Sequence, residues 1–183
     1  MKKVVLIFLI FLTGAVHAQD EAPLEKSSVT IEEFEAALKS FENGDAQSGL
    51  NYFRGCLAGM ILVENDLLLF DDLDAQNAPV SDFNVTSDRC LERIRRTRSA
   101  LEKYEDQSWP LRVRLEVKTL NWLEQVENLV KDYLIELAEP LSRSDDSWNE
   151  ENHQLFERYL EAYDRYLVVD GDWVAFQQEF AEA

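Results

Sequence analysis

The sequence is poor in the residues that build reaction centres and metal sites. Its 183 residues include only two cysteines, two histidines and two methionines. One of the histidines, His17, falls in the export signal predicted below, so His153 is the single histidine of the mature chain. A lone histidine disfavours a His-based zinc site and a Ser-His-Asp triad, and no G-x-S-x-G sequence occurs. We therefore predict no catalytic residue, no metal site and no cofactor, and a role without catalysis is favoured over an enzyme.

Positive charge is also scarce. The chain has 18 basic and 36 acidic residues, and its net charge is -18. Nucleic acids and anionic membranes are bound through Lys and Arg, so both are disfavoured as partners. So acidic a chain is suited to a basic protein partner, which its charge would attract. The charge alone is explained at least as well by an acidic exported protein in which it serves solubility.

Long hydrophobic runs are absent except at the N-terminus. Lys2 and Lys3 precede an apolar run from Val4 to Leu12, and Val16-His17-Ala18 then provides acceptable residues for cleavage. This is the layout of a secretory signal peptide, and the run is too short to span a bilayer. We predict a signal peptide over residues 1–18, cleavage near Ala18 and a periplasmic or secreted protein. Residues 19–183 then form a single acidic helical domain.

No stretch alternates as a β-strand does, and the fold class predicted is an all-α bundle of five to six helices. Thr30 and Glu33 form a capping box for a first helix, which Gly44 ends. Asp45 is predicted to cap a second helix that runs to about Phe70. Asp71–Thr86 reads as a long connection. The remaining signals are helix starts at Ser87, at Ser108 and at Asp146 or Ser147, a stop at Pro140, and a turn at Asp170-Gly171 before a terminal helix.

Gly55 and Gly59 lie one turn apart within the second helix. Each glycine costs a helix interior about 1 kcal/mol, and the close approach of another helix usually offsets that cost. Tight helix packing is therefore predicted at this pair. A crevice for a ligand is the alternative.

Cys56 and Cys90 remain in the mature chain. In an oxidising compartment such a pair is expected to form a disulfide, here between helix two and the start of helix three. In a simple antiparallel hairpin Cys90 would lie near residues 68–70, about 20 Å from Cys56, whereas a disulfide tolerates about 7 Å between Cα atoms. The predicted bridge therefore requires Asp71–Thr86 to double back along helix two. Two unpaired buried thiols are the alternative.

Basic residues concentrate in one segment, with nine of them between Arg89 and Lys118 against five acidic residues. Arg89, Arg93 and Arg96 share one helical face. The interpretation favoured is ion pairing with acidic helices, such as the one over Glu150–Glu161. Binding of a phosphate or an acidic partner is the alternative.

The aromatic residues concentrate in the last forty positions, where tyrosines form one helical stripe. Core packing explains most of such a stripe, but Tyr next to acidic residues also suits a basic protein surface. The partner-binding residues predicted are Asp71, Asp72, Asp74, Asp145, Asp146, Tyr159, Tyr163 and Tyr166. The function predicted is that of a periplasmic inhibitor or immunity-type protein that binds a basic toxin or envelope enzyme. The alternative is a periplasmic helical module that binds a small molecule or peptide without catalysis.

Overall fold

A computed structural model describes residues 29–76, 78–131 and 150–181. Within these ranges the chain forms five α-helices and no strand, which confirms the predicted all-α bundle. The helices are α1 (Ile31–Glu42), α2 (Gly49–Ala75), α3 (Val80–Glu102), α4 (Arg112–Leu129) and α5 (Glu150–Ala181). None of the helices in the described ranges has the length and apolar character that crossing a membrane requires. The predicted signal peptide, with its cleavage near Ala18, lies outside the described residues.

Helix α1 has the ends that the sequence predicts. The Glu33 carboxylate accepts a hydrogen bond from the Thr30 backbone N–H at 2.7 Å, and the Thr30 hydroxyl accepts one from the Glu33 N–H at 3.4 Å. These two bonds form a capping box. The helix ends at Glu42, and Gly44 then adopts a φ of +83°, which glycine reaches without steric cost.

Helices α1 to α4 run antiparallel to one another in succession. Phe41 near the end of α1 packs on Tyr52 near the start of α2, and Phe70 of α2 lies 6.2 Å from Phe83 of α3 between ring centroids. Tyr104, just after α3, is 6.0 Å from Trp109, just before α4. Helix α2 is central, because it packs against α1, α3 and α4. Helix α5 packs on α4, where Trp122 and Trp173 lie 5.3 Å apart.

The turns at one end of the bundle are tied together by Tyr104. Its buried hydroxyl donates a hydrogen bond to the Phe41 carbonyl at 2.9 Å and accepts one from the Ala46 N–H at 3.1 Å. The Tyr104 ring also stacks on that of Phe41 at 4.8 Å. These contacts fix the α1–α2 turn against the α3–α4 turn.

The predicted disulfide is wrong, because the connection between α2 and α3 is short. Helix α2 continues to Ala75 and α3 begins at Val80, so Asp71–Thr86 does not double back. Cys90 lies beside Asp66, ten residues along α2 from Cys56, and ten residues span about 15 Å of helix. Both cysteines are buried and free. The simple antiparallel hairpin, which makes the bridge impossible, is the observed arrangement.

Other predicted helix boundaries differ from the structure. Ser48, rather than Asp45, accepts a hydrogen bond from the Asn51 N–H at the start of α2. Ser87 lies inside α3 and is buried, so it caps nothing. Helix α4 begins at Arg112, because Leu111 takes a left-handed φ of 64° that separates it from Pro110. The predicted starts at Asp146 or Ser147 and the stop at Pro140 lie outside the described residues.

The two glycines of α2 are sites of close helix packing, as the first interpretation predicts. A Cβ on Gly55 would lie 2.4 Å from Cγ of Phe41, and a Cβ on Gly59 would lie 2.3 Å from Oγ1 of Thr97. Side chains of α1 and α3 thus fill the space beside both glycines. This leaves no crevice there for a ligand.

Two glycines of this chain are expected to respond to alanine in opposite directions. Gly171 lies within α5 with no atom near its potential Cβ, so Gly171→Ala should raise the free energy of unfolding by up to about 1 kcal/mol. Gly59→Ala should lower it by about 1–3 kcal/mol, because the new methyl group overlaps Thr97. Urea denaturation of the two variants measures both values. A loss of stability in Gly171→Ala would contradict an uninterrupted α5.

Candidate binding site

Four arginines of the basic segment pair with acids of neighbouring helices: Arg89, Arg93, Arg96 and Arg98. Asp66 of α2 is fully buried, and its carboxylate forms ion pairs with Arg89 at 2.7 Å and with Arg93 at 2.8 Å. Arg93 also binds Glu35 of α1 at 2.8 Å and donates to the Leu62 carbonyl at 3.1 Å. Burial raises the pKa of Asp66, while the hydrogen bonds and charges of the two arginines act in the opposite direction.

Further ion pairs along α3 join this helix to α1 and to α4. Arg96 pairs with Glu42 at 2.8 Å and with Glu35 at 3.1 Å, and its hydrogen bonds hold the pKa of Glu42 below the usual value. Arg98 pairs with Glu127 of α4. The ion-pair interpretation is therefore confirmed for Arg89, Arg93, Arg96 and Arg98, whose partners lie on α1, α2 and α4 rather than in Glu150–Glu161. These arginines serve to join helices.

A different site lies where α2, α4 and α5 meet, and we call it the carboxylate–tryptophan pocket. Two carboxylates and three aromatic side chains line it, together with two aliphatic residues: Glu64, Leu67, Trp122, Tyr166, Val169, Asp170 and Trp173. The Trp122 indole donates a hydrogen bond to the Val169 carbonyl at 3.1 Å, which positions α5 against α4. The cavity leaves about 10 Å³ for the centre of a water-sized group.

Glu64 has an unusual environment in this pocket. Burial raises its pKa to about 7, and the nearby charge of Asp170 acts in the same direction. A hydrogen bond with Trp173 lowers the pKa but does not compensate. Neither Glu64 nor Asp170 forms an ion pair with any residue in the described ranges. Glu64 therefore changes its charge close to neutral pH, where few carboxylates do.

We expect Glu64 to make the fold more stable in acid than at neutral pH. Because its pKa is higher in the folded chain than in the unfolded one, its contribution is complete below a pH of about 4.5. The contribution declines as the pH rises and is lost once the pH exceeds about 7. The shift corresponds to about 3 kcal/mol. Comparing the pH dependence of unfolding in wild type and Glu64→Gln isolates this term, and parallel curves between pH 4.5 and 8 would contradict it.

A larger depression lies between α3 and α4, with a volume of about 480 Å³. Its charged lining is mixed in sign: Asp88, Glu92, Arg95, Arg98, Glu102, Glu127 and Lys131. Arg95 pairs with Glu92, and Arg98 and Lys131 both pair with Glu127. Because four acidic and three basic side chains share this lining, the groove favours no ligand of one charge.

The predicted partner-binding residues are dispersed. Tyr166 lines the carboxylate–tryptophan pocket, and Asp72 is exposed in the last turn of α2. Asp71 and Asp74 lie on the same turn of α2, and Tyr159 and Tyr163 lie on α5. Asp145 and Asp146 fall outside the described residues. The structure therefore brings one predicted tyrosine into a pocket and leaves the acidic turn about 12 Å further along α2.

The sequence did not predict Glu64 and Asp170 as site residues. Glu64, with Asn65 and Asp66, follows the most apolar part of α2. A carboxylate on the buried side of a helix is unusual, and this was the signal in the sequence that could have indicated a site. The sequence predicts a turn at Asp170-Gly171, but α5 is continuous through both residues. Only the packing of α5 on α4 places Asp170 near Glu64.

Comparison of the chain with protein-family models, with curated proteins and with solved structures found no match. In the described part of the chain, no group of three or more histidine, cysteine or acidic side chains is arranged to hold a metal ion. Any function must therefore be argued from the chemistry of the surfaces and of the pocket.

Proposed function

We propose that this chain is an exported, acidic interaction protein that binds a basic protein, in the manner of periplasmic inhibitors and immunity proteins of toxins or envelope enzymes. The observation that carries this proposal is that most arginines of α3 are engaged within the bundle. Arg89, Arg93, Arg96 and Arg98 neutralise acids of adjoining helices. They therefore do not offset the acids that face solvent.

Those solvent-facing acids are numerous and are spread over the helices. In the ranges that the structure describes, a large set of acidic residues is exposed and forms no ion pair: Glu32, Asp72, Asp88, Glu102, Glu105, Asp106, Glu124, Glu161, Asp164, Asp170 and Asp172. A surface of one sign attracts an oppositely charged protein and accelerates the encounter. The same surface repels phosphate backbones.

The predicted export signal supports the same function. Residues 1–18 have the charged, apolar and small-residue regions of a secretory signal. The helices are joined by packing and ion pairs, and both cysteines are free. The fold is therefore compatible with an oxidising or a reducing compartment. The proposed partner is therefore a basic protein of the periplasm or of the surrounding medium.

The test begins with export and proceeds to a purified partner. Fractionation should recover a chain that begins near Gln19 in the periplasm. The mature chain on a resin should retain a basic protein from envelope extract, and the purified pair should bind about 10-fold or more weakly at 500 mM than at 50 mM salt. The partner's activity should fall on binding.

Variants at the two ends of the bundle locate the contact. Asp71→Asn, Asp72→Asn and Asp74→Asn together should weaken the purified complex. The matched control neutralises Glu102, Glu105 and Asp106 at the opposite end and should have a smaller effect. Recovery of unprocessed chain in the cytosol, or affinity that does not depend on salt, would reject the proposal.

A further inference from the structure

The carboxylate–tryptophan pocket places two acids together without a positive charge. Glu64 and Asp170 lie close enough for the charge of Asp170 to raise the pKa of Glu64. The lining contributes no basic side chain. Two neighbouring carboxylates in a partly buried cavity repel each other, and a bound cation removes that repulsion.

The remaining walls suit a cation as well. The indoles of Trp122 and Trp173 and the phenol of Tyr166 line the same cavity. An ammonium group that lies over the face of an aromatic ring is attracted by the ring's quadrupole, and the Trp173 side chain is hydrogen-bonded to Glu64. Leu67 and Val169 complete an apolar wall that can contact methylene groups.

We propose that this pocket binds the ammonium group of one lysine side chain of the basic partner, an inference that rests on the function proposed above. The space for the centre of a water-sized group is about 10 Å³, which accommodates roughly one such group. An ammonium head is of that size, whereas the planar guanidinium of arginine is larger. The enclosed space therefore suits the compact ammonium of lysine better than the guanidinium of arginine.

The charge of Glu64 controls this site. The titratable groups of its lining are Glu64 from α2 and Tyr166 and Asp170 from α5, and α4 contributes only Trp122. Because Glu64 has a pKa of about 7, the pocket gains its second negative charge as the pH rises through neutrality. A cation binds the doubly charged pocket more tightly, so affinity increases from pH 6 to pH 8.

Methylammonium chloride is the probe that tests the site on the mature chain alone. Indole N–H signals of Trp122 and Trp173 in ¹H–¹⁵N spectra should shift on titration and saturate, whereas KCl and guanidinium chloride at equal ionic strength should leave them unchanged. The affinity should rise between pH 6 and pH 8. Equal shifts with KCl, or none with methylammonium, would overturn the proposal.

Paired substitutions on one helix provide the control. Asp170→Asn should weaken methylammonium binding by about 10-fold, because it removes a charged acceptor. Asp172→Asn alters an exposed acid outside the pocket lining and should have less than a twofold effect. Glu64→Gln should abolish the pH dependence. Equal effects of Asp170→Asn and Asp172→Asn would show a general charge effect and overturn the site.

This experiment separates the pocket from the wider function. Methylammonium binding in a chain that captures no basic protein would support the site and reject the proposed function. Conversely, a purified complex with unchanged affinity in Asp170→Asn would reject the pocket as the contact for lysine while leaving the interaction role intact.

Discussion

Arg93→Met is expected to lower the free energy of unfolding by about 3–5 kcal/mol, because it breaks a buried ion pair from one side. Arg93 binds both Asp66 and Glu35, and Asp66 is completely inaccessible to solvent. Without Arg93, Asp66 retains only Arg89, whose side chain is 41 % exposed. The carboxylate then either takes up a proton or remains charged in the core, and both outcomes cost stability. Chemical denaturation gives the value.

Two further variants distinguish charge from packing. Arg95→Met removes an arginine of the same helix whose pair with Glu92 is exposed, and it should change stability by less than about 1 kcal/mol. The double variant Asp66→Asn with Arg93→Met leaves no unpaired charge in the core and should lose less than Arg93→Met alone. Similar losses for Arg93→Met and Arg95→Met would show that burial of the network contributes nothing.

Trp122→Ala is expected to cost about 3–5 kcal/mol and to loosen α5 in particular. The Trp122 side chain is almost fully buried, lies against Trp173 and donates its indole hydrogen bond to Val169. Helix α5 packs mainly on α4. Removing the indole leaves a cavity and removes the hydrogen bond that joins α4 to α5. Hydrogen exchange should therefore accelerate within Glu150–Ala181 more than within α1 to α3.

Trp109→Ala provides the comparison for this effect. Trp109 packs on Tyr52 and Tyr104 at the end of the bundle where α1 and α2 join, and it is partly exposed. Its replacement should lower stability while leaving exchange in α5 little changed. Uniform acceleration along the chain in Trp122→Ala would mean that α5 does not open separately from the rest of the bundle.

Local sequence signals predicted the parts of the fold that depend on local interactions. The capping box at Thr30 and the stop at Gly44 involve residues a few positions apart, and both are present. Burial of Met60, Leu57 and Leu67 also follows from the spacing of apolar residues along α2. These features can be predicted without knowing how the helices pack.

Features that depend on helix packing were not predictable in the same way. The end of α2 is rich in aspartate, and the sequence indicated a loop there, but the helix continues to Ala75 because apolar residues such as Phe70 pack against α3. That continuation shortens the connection and separates the cysteines. Likewise, Glu64 and Asp170 are 106 positions apart, and only the docking of α5 brings them together.

The chemical modification of the two unpaired, buried cysteines can measure how often the helices separate. Burial raises the pKa of the Cys90 thiol to about 12 and that of Cys56 still further from its ordinary value, so neither is a reactive thiolate in the closed fold. Alkylating reagents can therefore modify them only when the helices separate, and the labelling rate follows that separation. Since no oxidant is required to complete the fold, the same helices assemble in reducing solution as in an oxidising one.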